Sequence, residues 1–401
     1  MAPHHLTLLT DAEVFDPAPR GRSDVLVGGG VILAVAPAGS LTGTTGLAGL
    51  AEIVDVGGAR VIPGLVDAHV HLTGGGGESG PASRVPPVAL SRLAAGGVTT
   101  AIGVLGTDGT TRTMQDLVAT TLGLRELGLS AWCWTGSYEI PLVTLTGSVR
   151  KDVVFVDPIV GVGELAISDH RSSQPTFEEL VRVASDCHVA GLMSQKAGIL
   201  HLHLGDGPRG LSLVRRALDE TEIPARVFYP THVNRKKRLF DEAIALAHRG
   251  CTVDVTAFPV DDGEDAWSAP DAIERYLASG APPGRLTCSS DGGGCLPTFD
   301  AEGRLVAMDI GDPGAPLGAL RELLGRGHAL EAVLPVFTEN VARLLRLGQK
   351  GRVAPGADAD LVVLDAAHRA RDVMARGRFV VRGGAAVVHG TFETPSERSS
   401  S

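Results

Sequence analysis

The sequence predicts an α/β protein in which a TIM-like (β/α)8 barrel carries a small β-sandwich domain built from both chain ends. The 401 residues suit a large α/β barrel with an appendage. The middle of the chain alternates apolar strand candidates with helical patterns, whereas both ends contain short apolar runs separated by turn glycines. We therefore expect residues 1–62 and 349–395 to form the small β domain and residues 63–348 to form the barrel.

Eight strand candidates in the middle of the chain support the barrel. They span residues 66–72, 98–105, 130–138, 159–168, 199–204, 226–233, 251–257 and 286–291. Helical patterns follow them, for example over residues 176–191 and 236–250. Eight consecutive βα units favour a closed barrel, whose reactive side chains gather where the strands end, at the C-terminal face. Polar residues at those strand ends are therefore the candidates for a functional site.

Composition excludes several classes of function. The formal net charge of −10 disfavours nucleic-acid binding, and the only basic cluster, residues 235–238, is short and contains no aromatic residue for base stacking. The five cysteines are scattered without a C-x-x-C motif, which disfavours a disulfide framework or a zinc–thiolate cluster. The start of the chain lacks the features of a signal peptide, and no apolar run approaches the roughly 18 residues needed to span a membrane. We expect a soluble, cytoplasmic protein that binds neither nucleic acid nor membrane.

Residue types that bind metals occur on five of the predicted barrel strands. They are His69 and His71 on the first strand, Glu164 on the fourth, His203 on the fifth, His232 on the sixth and Asp291 on the eighth. His69 and His71 face the same side because side chains alternate along a strand. Four histidines and two carboxylates exceed the needs of one zinc ion and suit two divalent ions about 3.5–4 Å apart. Zinc is favoured by this mixed ligand set, with manganese, cobalt and iron as alternatives.

A further histidine, His201, faces the same side of the fifth strand as His203. We interpret it as a residue of the barrel interior rather than as a metal ligand.

Several motifs resemble the amidohydrolase superfamily, namely PGLVDAHVH (63–71), SSDG (289–292) and PGADADLVVLD (355–365). More narrowly, the chain resembles the isoaspartyl dipeptidase family, over nearly its whole length. The segments that carry this resemblance are HVHLTGGGGESGP, LGTDG, TGSY, AISDHRS, YPTHVNR and the C-terminal HGTFET.

The resemblance implies a metal-dependent hydrolase that cleaves the isopeptide bond of β-aspartyl dipeptides. It implies that His69, His71 and Asp291 bind the more buried ion, and that His203 and His232 bind the second. Asp291 would also take a proton from the bridging hydroxide and deliver it to the leaving amine. Tyr138 would stabilise the negative charge that develops on the carbonyl oxygen. The resemblance also suggests a homo-oligomer.

The same resemblance assigns five residues to the substrate. Glu78 would pair with the free α-ammonium group, and the glycines before it would let the backbone approach the ligand closely. Arg171 and Arg235 would bind carboxylates by paired hydrogen bonds, and Thr107 would line the pocket. The alternative for Arg171 is a structural ion pair with Asp169. Cys295 stands where this family commonly has serine, and a thiol is the weaker hydrogen-bond donor.

Glu164 departs from the family pattern, in which a carbamylated lysine supplies the bridging carboxylate. Compared with the family pattern, the segment is one residue longer here, with Gly163 as the extra residue, and a glycine inside a strand often marks a bulge. We hypothesise that a bulge moves Glu164 inward to reach both ions. Lys196 is an alternative source of a carbamylated lysine, and a glutamate that cannot reach would leave a mononuclear or silent site.

Two other functions remain open from the sequence. The first is a divergent amidohydrolase that acts on another β-linked, γ-linked or cyclic amide. The second is a non-catalytic assembly protein with an amidohydrolase-like fold.

Overall fold

The structure is a computed structural model that describes residues 6–42, 49–299 and 305–393. Parts of the predicted small β domain, residues 1–5, 43–48 and 394–395, lie outside the described residues. No helix in these described ranges is both long enough and apolar enough to cross a membrane.

In the described part of residues 1–63, five strands precede the barrel. They are β1 (Leu6–Asp16), β2 (Ala18–Gly28), β3 (Val31–Pro37), β4 (Ala51–Asp55) and β5 (Arg60–Pro63). β2 and β3 form an antiparallel hairpin through Gly29 and Gly30, whose φ angles are 62° and 86°. Glycine adopts this left-handed backbone without steric cost, which permits the two-residue turn.

Eight parallel strands follow and confirm each predicted barrel strand. They are β6 (Leu65–Val70), β7 (Val98–Gly103), β8 (Ser130–Thr135), β9 (Ile159–Ile167), β10 (Leu200–Leu204), β11 (Phe228–Thr231), β12 (Val253–Thr256) and β13 (Leu286–Ser289). Strands β6 to β11 pair in chain order, β12 pairs with β13, and a parallel bridge joins Val70 to Gly292 beyond β13. Nearly every residue of these strands is buried, as expected for a sheet that is covered on both faces. The curled parallel sheet is consistent with the predicted (β/α)8 barrel.

Helices connect the strands. The α-helices are α1 (Leu90–Ala95), α2 (Met114–Glu126), α3 (Val149–Phe155), α4 (Phe177–Ser194), α5 (Ser212–Glu220), α6 (Lys237–His248), α7 (Ala269–Ala278), α8 (Ala315–Gly325), α9 (Leu330–Val333) and α10 (Glu339–Leu344). Short 3-10 helices span Pro81–Ser83, Ala225–Val227, Val233–Arg235, Pro283–Arg285 and Leu334–Phe337. α4 begins at a capping box in which the Thr176 hydroxyl accepts from the Glu179 amide and the Glu179 carboxylate accepts from the Thr176 amide.

Strands from the two chain ends join in one sheet. After the hairpin of β14 (Cys295–Phe299) and β15 (Leu305–Ile310), the chain forms β16 (Leu361–Leu364), β17 (Ala370–Ala375), β18 (Arg378–Arg382) and β19 (Ala385–Ala386). The sheet order is β19-β18-β17-β16-β5-β1-β2-β3, with β4 beside β1. Leu9, Val25, Leu361 and Met374 share its core, so both ends build the same unit. Its division into the two packed layers of a sandwich stays a prediction.

A buried lysine links this unit to the base of the barrel. The Lys350 ammonium lies 2.6 Å from an Asp360 carboxylate oxygen and 2.7 Å from one of Asp358, and it also donates to the hydroxyl of Ser130 at the start of β8. Because β8 begins at the N-terminal face of the barrel, this contact leaves the opposite face free for a functional site.

Candidate metal centre

The six predicted metal ligands converge at the C-terminal ends of the barrel strands. His69 lies on β6 and His71 just after it, Glu164 lies on β9, His203 lies on β10, and His232 and Asp291 follow β11 and β13. All are buried except Asp291, which is partly buried. Parallel strands bring residues 220 positions apart in sequence to one edge of the sheet, as the barrel prediction requires.

Glu164 lies between two pairs of histidines. Its Oε1 atom is 3.4 Å from His69 Nε2 and 3.7 Å from His71 Nε2. Its Oε2 atom is 3.0 Å from His203 Nδ1 and 3.6 Å from His232 Nε2. Each carboxylate oxygen therefore faces one pair, which is the arrangement of a carboxylate able to bridge two ions.

The ligand set fits a metal because several of its buried atoms lack partners. Asp291 Oδ1 lies 3.0 Å from His71 Nε2 and 3.4 Å from His69 Nε2. Among the described residues, His69 Nε2, Glu164 Oε1 and Asp291 Oδ1 have no hydrogen-bond partner. An unpaired buried polar atom costs about 1–3 kcal/mol, so three of them at one point favour a cation there. Two of the groups that could hold an ion, His69–His71–Glu164 and Glu164–His203–His232, share only Glu164.

The histidines keep the carboxylates ionised. Burial would raise the pKa of Glu164, but His69 and His203 hold that pKa well below its ordinary value. Burial would likewise raise the pKa of Asp291, but the adjacent imidazoles of His69 and His71 hold that pKa well below its usual range. Both groups are therefore anionic ligands at neutral pH.

Tyr138 is placed as a donor beside this centre. Its hydroxyl lies 2.7 Å from His203 Nδ1. Burial and the nearby Glu164 carboxylate raise the pKa of Tyr138 well above its ordinary value. The phenol therefore keeps its proton and can donate a hydrogen bond to a developing oxyanion.

Three of the histidines have outer hydrogen-bond partners that the sequence analysis did not identify as functional. His232 Nδ1 lies 2.7 Å from Thr256 Oγ1, and His69 Nδ1 lies 2.8 Å from His201 Nε2. His203 Nε2 lies 3.0 Å from Asp169 Oδ2. Such partners orient metal ligands and fix their tautomers.

Asp169 links the histidines to the predicted substrate residues. Its carboxylate accepts from Arg171 Nε at 3.1 Å and from Arg171 Nη2 at 2.7 Å. This ion pair is the structural alternative that the sequence offered for Arg171, but the contact of Asp169 with His203 was not predicted. The signal was its place in the segment AISDHRS, two residues before Arg171.

The predicted substrate residues form a connected rim. Glu78 Oε1 accepts from Thr107 Oγ1 at 2.9 Å and from Arg171 Nη1 at 3.2 Å. The Arg171 guanidinium also lies 5.4 Å from the ring centroid of Tyr138. The structure thus brings a carboxylate and a guanidinium together beside the candidate metal centre.

The two other predicted substrate residues are less closely connected. Burial and the Glu78 carboxylate raise the pKa of the Cys295 thiol to about 11. Within the described ranges, the Arg235 side chain makes no hydrogen bond or ion pair with the other four predicted substrate residues. It lies in the 3-10 helix Val233–Arg235, directly after His232, and its charge acts to lower the pKa of Tyr138.

The glycine run before Glu78 is required by close backbone packing. A Cβ atom on Gly74 would lie 1.9 Å from the Val85 carbonyl oxygen, and Gly74 has a φ of 78°. The buried Arg112 guanidinium holds the same loop, donating to the Gly75 carbonyl at 2.8 Å and the Val85 carbonyl at 3.0 Å. Arg112 is another residue that the sequence analysis missed, and it fixes the loop that presents Glu78.

The hypothesised bulge is present in β9. Between the pairs Leu200–Val162 and Leu202–Leu165, β9 contains one more residue than β10. A Cβ atom on Gly163 would lie 2.6 Å from His201 Cβ, so only glycine allows the strands to approach here.

The structure contradicts the alternative in which Lys196 supplies the bridging group. The Lys196 ammonium donates to the carbonyls of Val156 and Ile159, at 2.7 and 3.0 Å. Ile159 begins β9, about 16 Å along the strand from Glu164 at roughly 3.3 Å per residue. Lys196 therefore lies at the opposite end of the strand from the candidate centre.

Comparisons with known proteins agree with this geometry. The model of the family described as "Amidohydrolase family" matches residues 60–392. A solved β-aspartyl dipeptidase from Fervidobacterium islandicum AW-1, in complex with a β-Asp-Leu dipeptide, is 39% identical, with a TM-score of 0.90. The match covers 96% of this chain and 98% of that chain.

More distant proteins are also similar to this chain. A dihydropyrimidinase from Brevibacillus agri NCHU1002 is 17% identical, with a TM-score of 0.67 and coverage of 96% of this chain and 97% of that chain. Among curated relatives, adenine deaminase 2 from Agrobacterium fabrum is 24% identical over 92% of this chain. The present chain spans only 59% of the length of that deaminase.

Proposed function

The chain belongs to the amidohydrolase family, and we propose that it is a metal-dependent dipeptidase that cleaves the isopeptide bond of β-aspartyl dipeptides. The observation that carries this proposal is the position of Glu164, whose two carboxylate oxygens face two separate histidine pairs. The similar protein from Fervidobacterium, solved with a β-Asp-Leu dipeptide, supports the substrate class.

Two divalent ions, with zinc as the favoured metal, are the proposed cofactors. His69, His71 and Asp291 would hold one ion, His203 and His232 the other, and Glu164 would contact both. Divalent ions at such a site lower the pKa of water, so that hydroxide is available at neutral pH.

The chain's own residues move protons and stabilise charge. Asp291, ionised and partly accessible, accepts a proton from the attacking water and returns it to the leaving amine. Tyr138, kept protonated by burial, donates to the carbonyl oxygen as negative charge develops there.

Charged residues at the rim would recognise the two ends of the aspartyl unit. We propose that the Glu78 carboxylate binds the free α-ammonium group, while Arg171 and Arg235 bind carboxylates and Thr107 and Cys295 line the pocket. The contact between Glu78 and Arg171 supports this assignment, because a zwitterionic ligand presents the matching pair of opposite charges.

Three further properties are proposed, namely the division into domains, the cellular location and the oligomeric state. We propose a division into a small β-sandwich domain, residues 1–62 and 349–395, and a barrel domain, residues 63–348. We also propose a cytoplasmic location and a homo-oligomer. All five cysteines are free, which suits a reducing compartment.

The decisive experiment offers the zinc-loaded protein β-aspartyl-leucine and its α-linked isomer and measures released leucine. Release from the β isomer alone is expected. Release only from a γ-glutamyl dipeptide or a cyclic amide in the same panel would favour a divergent amidohydrolase. A protein that neither retains zinc nor releases leucine would favour the non-catalytic alternative.

A matched pair of variants tests the role of Tyr138. Tyr138→Phe should lower kcat about 10²–10³-fold, the usual cost of removing one oxyanion donor. Tyr276→Phe is the control, because its hydroxyl bonds the Pro282 carbonyl at 2.9 Å, away from the site. Equal kcat values for the two variants would contradict the role of Tyr138.

A further inference from the structure

One buried histidine outside the six candidate ligands contacts one of them directly. His201 is fully buried, and its Nε2 atom lies 2.8 Å from His69 Nδ1. Its other ring nitrogen, Nδ1, lies 3.1 Å from the carbonyl oxygen of Tyr229. The imidazole is therefore bonded on both sides, to the backbone and to a candidate metal ligand.

These contacts fix the positions of the ring protons. A carbonyl oxygen only accepts hydrogen bonds, so His201 Nδ1 must carry the hydrogen that bonds Tyr229. In a neutral His201 ring, Nε2 then has the lone pair and accepts from His69 Nδ1–H. A neutral His69 in turn has its lone pair on Nε2, the atom that faces Glu164 and Asp291 at 3.4 Å.

The opposite proton arrangement is incompatible with metal binding. A second proton on His201 Nε2 would need His69 Nδ1 as its acceptor. The remaining proton of a neutral His69 would then sit on Nε2 and block the lone pair that faces the carboxylates. A metal-ligating His69 thus requires His201 in one neutral tautomer.

The surroundings of His201 hold the ring in the required orientation. It stacks on Trp134, with ring centroids 5.0 Å apart and planes at 22°, and on Tyr229, with centroids 4.6 Å apart and planes at 27°. Gly163, the neighbour of Glu164, leaves room for it, because a Cβ atom there would lie 2.6 Å from His201 Cβ. The bulge that places Glu164 therefore also packs on His201.

We propose that His201 is a positioning residue that keeps the proton of His69 on Nδ1 and so presents Nε2 to a metal ion. The proposal rests on metal binding by His69, as proposed above, and not on the identity of the substrate. His201 differs from Thr256, the partner of His232, because a hydroxyl can both donate and accept and so does not select a tautomer.

Zinc affinity tests this role without measuring activity. Each full-length variant is loaded with zinc, and the affinities of the two sites are measured by competition with a chelator, with bound zinc counted by elemental analysis. His201→Leu removes the hydrogen-bond acceptor of His69. It should lower the zinc affinity of one of the two sites about 10–100-fold and leave the affinity of the other site unchanged. His201→Gln, whose carbonyl can accept from His69 and whose amide can donate to Tyr229, should restore most of that affinity.

Failure of the His201 proposal and failure of the proposed metal centre would give different results in this experiment. Wild-type affinity at both sites of His201→Leu would overturn the role of His201, and so would a His201→Gln variant as weak as His201→Leu. A wild-type protein that binds no zinc would instead overturn the proposed metal centre.

A spectroscopic measurement keeps the proposal testable if His201→Leu does not fold. In zinc-loaded wild-type protein labelled with 15N-histidine, the His69 ring should be protonated at Nδ1 and metallated at Nε2. A ring protonated at Nε2 would overturn the proposal.

Discussion

Glu78→Gln is the sharpest test of substrate recognition, because it removes one negative charge and almost nothing else. The Glu78 Oε1 atom accepts from Thr107 and Arg171, and a glutamine carbonyl at the same place can accept from both. The loop geometry is set by Arg112 and the glycines, so it should not change. The variant therefore isolates the charge that we propose to bind the substrate ammonium.

The expected loss in kcat/KM follows from the charge of the Glu78 carboxylate and from its exposure to solvent. A hydrogen bond to a charged group contributes about 1.5–3 kcal/mol, which corresponds to roughly 10- to 150-fold in kcat/KM. The Glu78 side chain is 27% exposed, so solvent screens part of the interaction and favours the lower half of that range. We expect a loss of about 10- to 40-fold on this basis.

The assay compares kcat/KM for β-aspartyl-leucine and its N-acetylated form. The wild-type enzyme should prefer the free amine, and Glu78→Gln should lose most of that preference because acetylation removes the ammonium charge. Glu222→Gln, at an exposed position, is the control for a generic loss of charge. Equal losses on both substrates would refute ammonium recognition by Glu78 and indicate a structural defect instead.

Three further predictions concern stability, reactivity and cofactor chemistry. Lys350→Met should lower the free energy of unfolding by about 3–5 kcal/mol in a denaturant titration, because it leaves the buried Asp360 carboxylate without its cation; a loss below about 1 kcal/mol would contradict this. Because the pKa of Cys295 is raised to about 11, its thiol is protonated at pH 8, and its alkylation rate should rise nearly tenfold per pH unit from 8 to 10; a plateau before pH 9 would contradict the shift. Zinc reconstitution should proceed equally with and without bicarbonate, because Glu164 already has a carboxylate, whereas Glu164→Gln should retain fewer zinc ions; a bicarbonate requirement in the wild-type protein would point to a carbamylated residue.

The barrel and its candidate ligands could be predicted because their signals are local and periodic. Each strand is a short apolar run bounded by turns, and each candidate ligand stands near the end of such a run. His69 and His71 illustrate this, since two residues of an extended strand that are two positions apart face the same side; β6 ends at Val70, and His71 directly follows it. The topology of the barrel then predicts that these strand ends lie close together, even when no side-chain contact is known.

The residues that orient the ligands could not be predicted, because their roles depend on three-dimensional packing. His201 contacts a residue 132 positions away, and nothing in its own segment distinguishes a partner of His69 from a filler of the barrel. Arg112 likewise donates hydrogen bonds to the carbonyls of Gly75 and Val85, in a separate loop. Nothing in the sequence around Arg112 predicts these contacts. The arrangement of the end strands also depends on pairings between the two termini of the chain.

We propose that Glu164 stands where the family resemblance implies a carbamylated lysine, and that the backbone of β9 differs along with the side chain. Glutamate is shorter than a carbamylated lysine, so its carboxylate can reach the same place only if the strand moves inward. The extra residue in β9 and the glycine at position 163 allow that movement, since any Cβ atom there would collide with His201. The resulting carboxylate needs no carbon dioxide, and the histidines around it keep its pKa low. On this proposal the chain itself supplies the negative charge of the centre, and the extra residue of β9 relative to β10 brings the Glu164 carboxylate to the histidines.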